Sequence, residues 1–87
     1  MNLDNILYYI YMDKKFGFTK REMEILALIV AGLDNVQIAE RLHITRHTVK
    51  VHISSMYSKA RINSRVLLAI EAYKSGISEN YSDRIDF

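Results

Sequence analysis

Six basic side chains, Arg41, Arg46, Lys50, Lys59, Arg61 and Arg65, fall between positions 41 and 65 with no Asp or Glu among them. His43, His47 and His52 lie in the same stretch. The window carries +6, whereas the rest of the 87-residue chain carries −4, for a net charge of +2. A one-signed segment in an otherwise acidic chain is the footprint of a polyanion partner. Charge alone leaves a solvated basic face as an equal reading, and spacing separates the two. Arg46, Lys50 and Ser54 recur every four residues, as one face of a helix requires, with His47 and Val51 beside them. Val49, Ile53, Met56 and Ala60 form a separate apolar stripe suited to a core. On a helix in the major groove, Lys50 can reach guanine N7 or O6 and Val51 can touch a thymine methyl. A merely exposed valine is the plainer alternative. Thr45 and Arg46 open this helix, where hydroxyl, guanidinium and helix dipole all suit phosphate. Asn35 and Gln37 open the preceding helix and are placed to touch the backbone across the groove; for Gln37, simple capping serves equally well. His52 could bond a phosphate or the helix packing. His47 and His52, five apart, do not stack on one helical face, so they do not form a metal pair.

Other classes of chemistry lack their parts. The chain has no cysteine, hence no disulfide framework and no thiolate metal site. No catalytic carboxylate pair, nucleophile–base set or phosphate-cradling glycine loop is present. Glu22 and Glu24 point to different faces of one helix, and Glu22 is better explained as part of a cap. The sequence therefore argues against an enzyme and calls for no cofactor or metal. The longest apolar run, Ile25 to Leu33, is far shorter than the roughly 20 residues of a membrane span. Met1-Asn2-Leu3-Asp4 lacks the basic start of a signal peptide. A cytoplasmic protein with no membrane partner is expected.

The elements that must carry the basic face are helical throughout. Thr19 and Glu22 form a capping box, with Phe18 and Met23 as its hydrophobic staple, and the helix they open closes at Gly32. Asp34 and Gln37 repeat the box, with Leu33 and Ile38 as staple. Thr45 caps the long basic helix, stapled by Ile44 and Val49. Asn63 is expected to cap a last helix, with Ile62 and Leu67 as staple, running to Gly76. His43-Ile44-Thr45 is then a three-residue turn between a short helix and a longer one, which is helix-turn-helix spacing. Ala39 is small enough for the crossing, and Ile38, Leu42 and Ile44 supply its buried hinge. Residues 3–15 read as a further helix on the spacing of Leu3, Ile6, Leu7 and Ile10, a stripe expected to cover the core or, alternatively, to dock a partner. Ile6 to Met12 is also a β-prone aromatic run. Residues 77–87 are polar and expected to be a flexible tail.

Thr19-x-Arg21-Glu22-x-Glu24-Ile25-Leu26, then Gly32, then Gln37-Ile38-Ala39-x-x-Leu42-x-Ile44-Thr45-x-x-Thr48-Val49-Lys50-Val51-His52, then Lys59 and Arg65, resembles the LuxR-type helix-turn-helix found at the C-terminus of NarL-like response regulators. The resemblance spans roughly residues 18–76. It implies an all-α, four-helix bundle with an N-terminal extension over residues 1–17, and a role in transcription regulation. It also implies that Lys50, Val51 and Ser54 face bases, joined by His47 on the same face. Asn35, Gln37, Thr45, Arg46, Thr48, His52 and Lys59 would hold phosphates of double-stranded DNA. The fourth helix would form a homodimer through Val66, Leu67, Ala69, Ile70 and Tyr73. Ser54 departs from the family where some members carry a basic reader, and Val36 stands where Lys is common. Ala60-Arg61 replaces the usual Leu-Gly, so Arg61 must pay a left-handed penalty if it takes the glycine's geometry. The chain resembles stand-alone, single-domain members. The reading that follows is a sequence-specific, dimeric DNA-binding regulator. The alternative is an interaction module that pairs with a larger regulator, and RNA polymerase is a further possible partner.

Overall fold

The structure is a computed structural model that describes residues 3–74, with side chains described from Ile10 onward. It contains α1 (Leu3–Phe16), α2 (Lys20–Val30), α3 (Asn35–Leu42), α4 (Arg46–Ala60) and α5 (Arg65–Lys74), and no strand among the described residues. The fold is all-α, a four-helix unit preceded by a further helix. The aromatic run near the N-terminus is helical rather than extended. None of these helices is long and apolar enough to cross a membrane.

Local chemistry accounts for the three central helix starts. The Thr19 hydroxyl accepts the Glu22 N–H at 3.1 Å, and the Glu22 carboxylate accepts the Thr19 N–H at 2.8 Å. Asp34 and Gln37 repeat this exchange at 2.8 and 2.9 Å. The Thr45 hydroxyl accepts the Thr48 N–H at 3.1 Å. Each cap satisfies donors that the first turn leaves orphaned and contributes about 1 kcal/mol. The staple residues Phe18, Met23, Ile38 and Val49 are buried, with Leu33 and Ile44 packed partly against them.

The fourth cap falls on Ser64, not on Asn63. The Ser64 hydroxyl accepts the Leu67 N–H at 3.3 Å. Asn and Ser are near-equal caps, so local preference could not choose between them. Tertiary contacts do: this start makes Arg65 the first helical residue, with its guanidinium on the Leu33 carbonyl, while Leu68 and Ala72 fill the core. The expected continuation of this helix over residues 75–76 lies outside the described residues, as does the tail at 77–87.

Helix ends are where the chain departs from simple preference. After α2, Gly32 takes φ +94°, and the N–H groups of Gly32 and Leu33 return to the carbonyls of Ile29 and Leu28. After α3 and α4 the same left-handed place is held by His43 and Arg61, both at φ 57°. Ile44 and Ile62 then donate to the carbonyls of Ala39 and Tyr57. Arg61 thus adopts the strained geometry that its substitution for glycine implied.

α2 is the central helix. Glu22, Met23 and every residue from Ile25 to Ile29 are buried, which is why it reads as apolar nearly all round. α4 lays Val49, Ile53 and Met56 against it, with Ala60 packed partly alongside. α3 packs on α4, with Ile38 and Ala39 buried at the crossing and Leu42 and Ile44 partly covered. α1 joins the same core through Met12, with Tyr11 and Phe16 packed against it. Its roll differs from the expectation that the stripe ending in Ile10 covers the core, because Ile10 is 47% exposed. Phe16 stacks on Phe18 at 5.1 Å, and Lys15 pairs with Glu71 of α5 at 2.9 Å. Together these contacts turn the Met12 side inward. The side chains of Leu3, Ile6 and Leu7 lie outside those described.

Candidate nucleic-acid interface

α4 presents its polar face to solvent because the opposite face is anchored. Val49 and Met56 are fully buried and Ile53 nearly so, so Arg46, His47, Lys50, Val51 and Ser54 are turned to solvent. Val51 is 52% exposed, an apolar side chain presented where burial does not require one. Ser58 continues the line of His47, Val51 and Ser54 at helical spacing and is also exposed. Sequence reading did not single it out.

A groove runs between the start of α3 and the first turns of α4, lined by Asn35, Val36, Arg46, Lys50 and Arg65 among others. Three cations therefore converge on the N-terminus of α3. Ion pairs among the described residues are formed by Lys15 and Lys74 with Glu71, by Arg21 with Glu24 and by Lys59 with Glu22, so none neutralises Arg46 or Lys50. The one carboxylate on the groove, Asp34, is occupied by its cap. The result is a concave, positively charged surface with backbone N–H groups at its edge, which suits a phosphate.

Polar side chains at the starts of α3 and α4 keep N–H or O–H donors. The Gln37 carbonyl oxygen is consumed by the Asp34 N–H, which leaves its NH2 group free to donate outward. Asn35 is held in the same sense: Arg65 donates from Nη1 to Asn35 Oδ1 at 2.7 Å and from Nη2 to the Leu33 carbonyl at 2.8 Å. The Thr45 and Thr48 hydroxyls lie 2.9 Å apart and share one proton, so the pair retains a second one to donate. Thr48 and His52 are half-buried on one flank of α4, whereas Arg46 and Lys50 occupy the other.

Lys59 is not brought to the groove. Its ammonium lies 2.7 Å from Glu22 and 3.3 Å from the Gly17 carbonyl, where it joins the end of α4 to the start of α2. Burial alone would raise the Glu22 pKa, but hydrogen bonds from Lys59, the Thr19 N–H and Ser55 outweigh it and hold the carboxyl below its ordinary value. Glu22 is thus ionised and buried, with its capping role doubled by an ion pair. The partners of Arg65 and Lys59 lie 30 and 37 residues away, which no local periodicity reveals.

Val66, Leu67, Ile70 and Tyr73 on α5 are exposed, and Ala69 is half-buried beside them. They form an apolar surface on the helix that begins at Arg65, and α2 contributes Val30 to its edge.

Residues 17–72 match the model for bacterial regulatory proteins of the luxR family. The chain belongs to that family. The chain thus carries the DNA-binding domain of a transcription regulator. The chain is 45% identical over 66 residues to the transcriptional regulatory protein LnrK of Bacillus subtilis, covering 76% of this chain and 30% of that protein. It is 48% identical over 59 residues to the nitrate/nitrite response regulator protein NarL of Escherichia coli, covering 68% of this chain and 27% of that one. The response regulator protein VraR of Staphylococcus aureus is 44% identical over 59 residues, with 68% and 28% covered. The family domain therefore spans less than a third of these relatives. No solved structure matches the chain significantly.

Proposed function

We propose that this domain is a sequence-specific reader of double-stranded DNA that regulates transcription as a homodimer. The single observation that carries the proposal is the exposed, acid-free face of α4, anchored from behind by Val49, Ile53 and Met56. α4 enters the major groove with Lys50, Val51, Ser54 and His47 toward base edges. Thr45, Arg46 and Thr48 at the start of α4, His52 on its flank, and Asn35 and Gln37 at the start of α3 hold the phosphates on either side. Lys59 reaches phosphate only by leaving Glu22. The dimer forms through Val66, Leu67, Ala69, Ile70 and Tyr73, which accounts for an apolar face that the subunit leaves uncovered. The protein is cytoplasmic and takes no cofactor.

Selection of the purified protein against random duplexes at ~150 mM salt, where nonspecific contacts weaken, tests this directly. Recovery of a two-fold symmetric motif supports a dimeric reader; unselected sequence counts against it. Leu67→Asp places a charge on an exposed α5 position, so the helical content should stay while dimerisation and operator binding weaken. A variant that still dimerises would move the interface elsewhere, with α1 the next surface to test. The same apolar face favours a second reading, in which α5 pairs with the matching helix of a larger regulator. An α5-dependent complex with such a regulator, in the absence of any selected DNA, would establish that alternative. RNA polymerase is a further possible partner.

A further inference from the structure

We infer that Arg65 is a positioning residue that fixes the Asn35 carboxamide with its NH2 group toward the phosphate, so that the first residue of the dimer helix sets the polarity of the DNA clamp. The inference rests on the DNA-binding reading above and adds to it a role for a side chain outside the helix-turn-helix. A guanidinium only donates, so the atom of Asn35 that receives Arg65 Nη1 at 2.7 Å must be the carbonyl oxygen. The other end of that planar group is then a pair of N–H donors. A free asparagine on the surface offers either end, and half of those orientations would present an oxygen to an anion. Arg65 removes that ambiguity. Its own orientation is fixed by the second bond, from Nη2 to the Leu33 carbonyl at 2.8 Å, so the fork is held at both tines. Both bonds are partly buried, which strengthens them relative to an exposed pair.

Placement supports the assignment. Asn35 is the first residue of α3 and lines the groove together with Arg46, Lys50 and Arg65. Gln37 shows the same logic two residues on, with its oxygen consumed by Asp34. Both carboxamides at the start of α3 therefore have their acceptor ends occupied within the protein. Arg65 also begins α5, so the helix bearing the exposed apolar face is tied directly to the donor that meets the phosphate.

Two substitutions at position 35 separate positioning from plain structural support. Asn35→Asp keeps an acceptor for Arg65 and places a negative charge at a helix start, but removes the outward donor and sets a charge against phosphate. Asn35→Ala removes both. Melting temperature should therefore rank Asn35→Asp at or above wild type, with Asn35→Ala lowest. Affinity for the duplex selected by the wild-type protein should rank wild type first, Asn35→Ala next and Asn35→Asp last, about tenfold or more below wild type. A structural role alone would give the same order in both measurements. Arg65→Lys adds a second check, because it keeps the charge but cannot span two acceptors; it should weaken binding several-fold without reducing the salt dependence. Full binding by either Asn35→Asp or Arg65→Lys overturns the inference alone. Failure of the wild-type protein to retain any selected duplex overturns the DNA-binding reading and the inference with it.

Discussion

The starts of α2 and α3 are written in one grammar and put to opposite uses. Both carry a reciprocal capping box, Thr19 with Glu22 and Asp34 with Gln37. The first is sunk into the protein: Glu22 is 2% exposed, and its oxygens are taken by Thr19, Lys59 and Ser55. The second faces solvent, and its glutamine keeps two N–H donors on an exposed side chain. The lesson is that a cap's sequence tells where a helix begins, but burial decides whether its side chains support the fold or meet a ligand. A carboxylate suits the buried end because a cation reaches it. At the open end the Gln37 carboxamide completes the box without adding a charge.

The largest expected effect comes from breaking the buried box. Glu22→Gln retains an oxygen for the Thr19 N–H but leaves the Lys59 ammonium without its counter-ion. Losing one partner of a fully buried pair costs about 3–5 kcal/mol. The Lys59 side chain is 33% exposed and can find water, so a loss of about 2 kcal/mol is expected in urea denaturation. The acid limb should change as well. Because folding lowers the Glu22 pKa, its ionisation stabilises the protein above the ordinary value of 4.5, and that contribution fades as pH falls through the lowered value. Wild-type stability should thus fall below about pH 4.5 more steeply than that of Glu22→Gln. Parallel acid limbs for the two proteins would remove the ion pair from the account of stability.

Next in size is the exposed face of α4 proposed to read bases. Lys50→Ala should cost about 1–3 kcal/mol of binding on a selected operator and relax its preference at one base pair. Folding should be almost untouched, since Lys50 is exposed. Equal loss on selected and random duplexes would make Lys50 a backbone contact. Gln37→Glu then sharpens the contrast between the two boxes. It copies the α2 box onto α3, and stability should stay within about 0.5 kcal/mol as for most surface changes. Affinity should fall several-fold because a carboxylate replaces an N–H donor. Unchanged affinity would leave Gln37 a cap and nothing more.

What the sequence revealed divides along the same line. Helix starts, the three-residue turn and the α4 core stripe were legible because each depends on residues within about one turn of one another. The choice of Ser64 over Asn63, the inward side of α1 and the partners of Lys59 and Arg65 were not legible. Each is decided by a contact between helices distant in the chain: Leu33 with Arg65, Glu71 with Lys15, Gly17 and Glu22 with Lys59, and Asn35 with Arg65. The basic window marked a charged segment but could not sort its cations. Lys59 is held by a buried carboxylate, whereas Arg65 lies on the groove and orients another side chain.

The helix ends supply the smallest and most pointed test. Gly32 takes the left-handed geometry freely, and Arg61 takes it at φ 57° against the preference of an L-residue, a strain of roughly 1–2 kcal/mol. Glycine would relieve that strain but loses about 0.5–1 kcal/mol in chain entropy. Arg61→Gly should therefore stabilise the domain by about 0.5–1 kcal/mol, a rise of a few degrees in melting temperature for a chain this short. Arg61 lies beside Ser54 and Tyr57, near the C-terminal end of the exposed α4 face. If the variant gains stability and its salt dependence on DNA falls by about one counterion, Arg61 is strained in exchange for a phosphate contact. If stability rises and the salt dependence is unchanged, the arginine has no role in DNA binding. A drop in stability would mean that the arginine's alkyl stem packs more than its exposure suggests, and that the strain at this turn is smaller than its geometry implies.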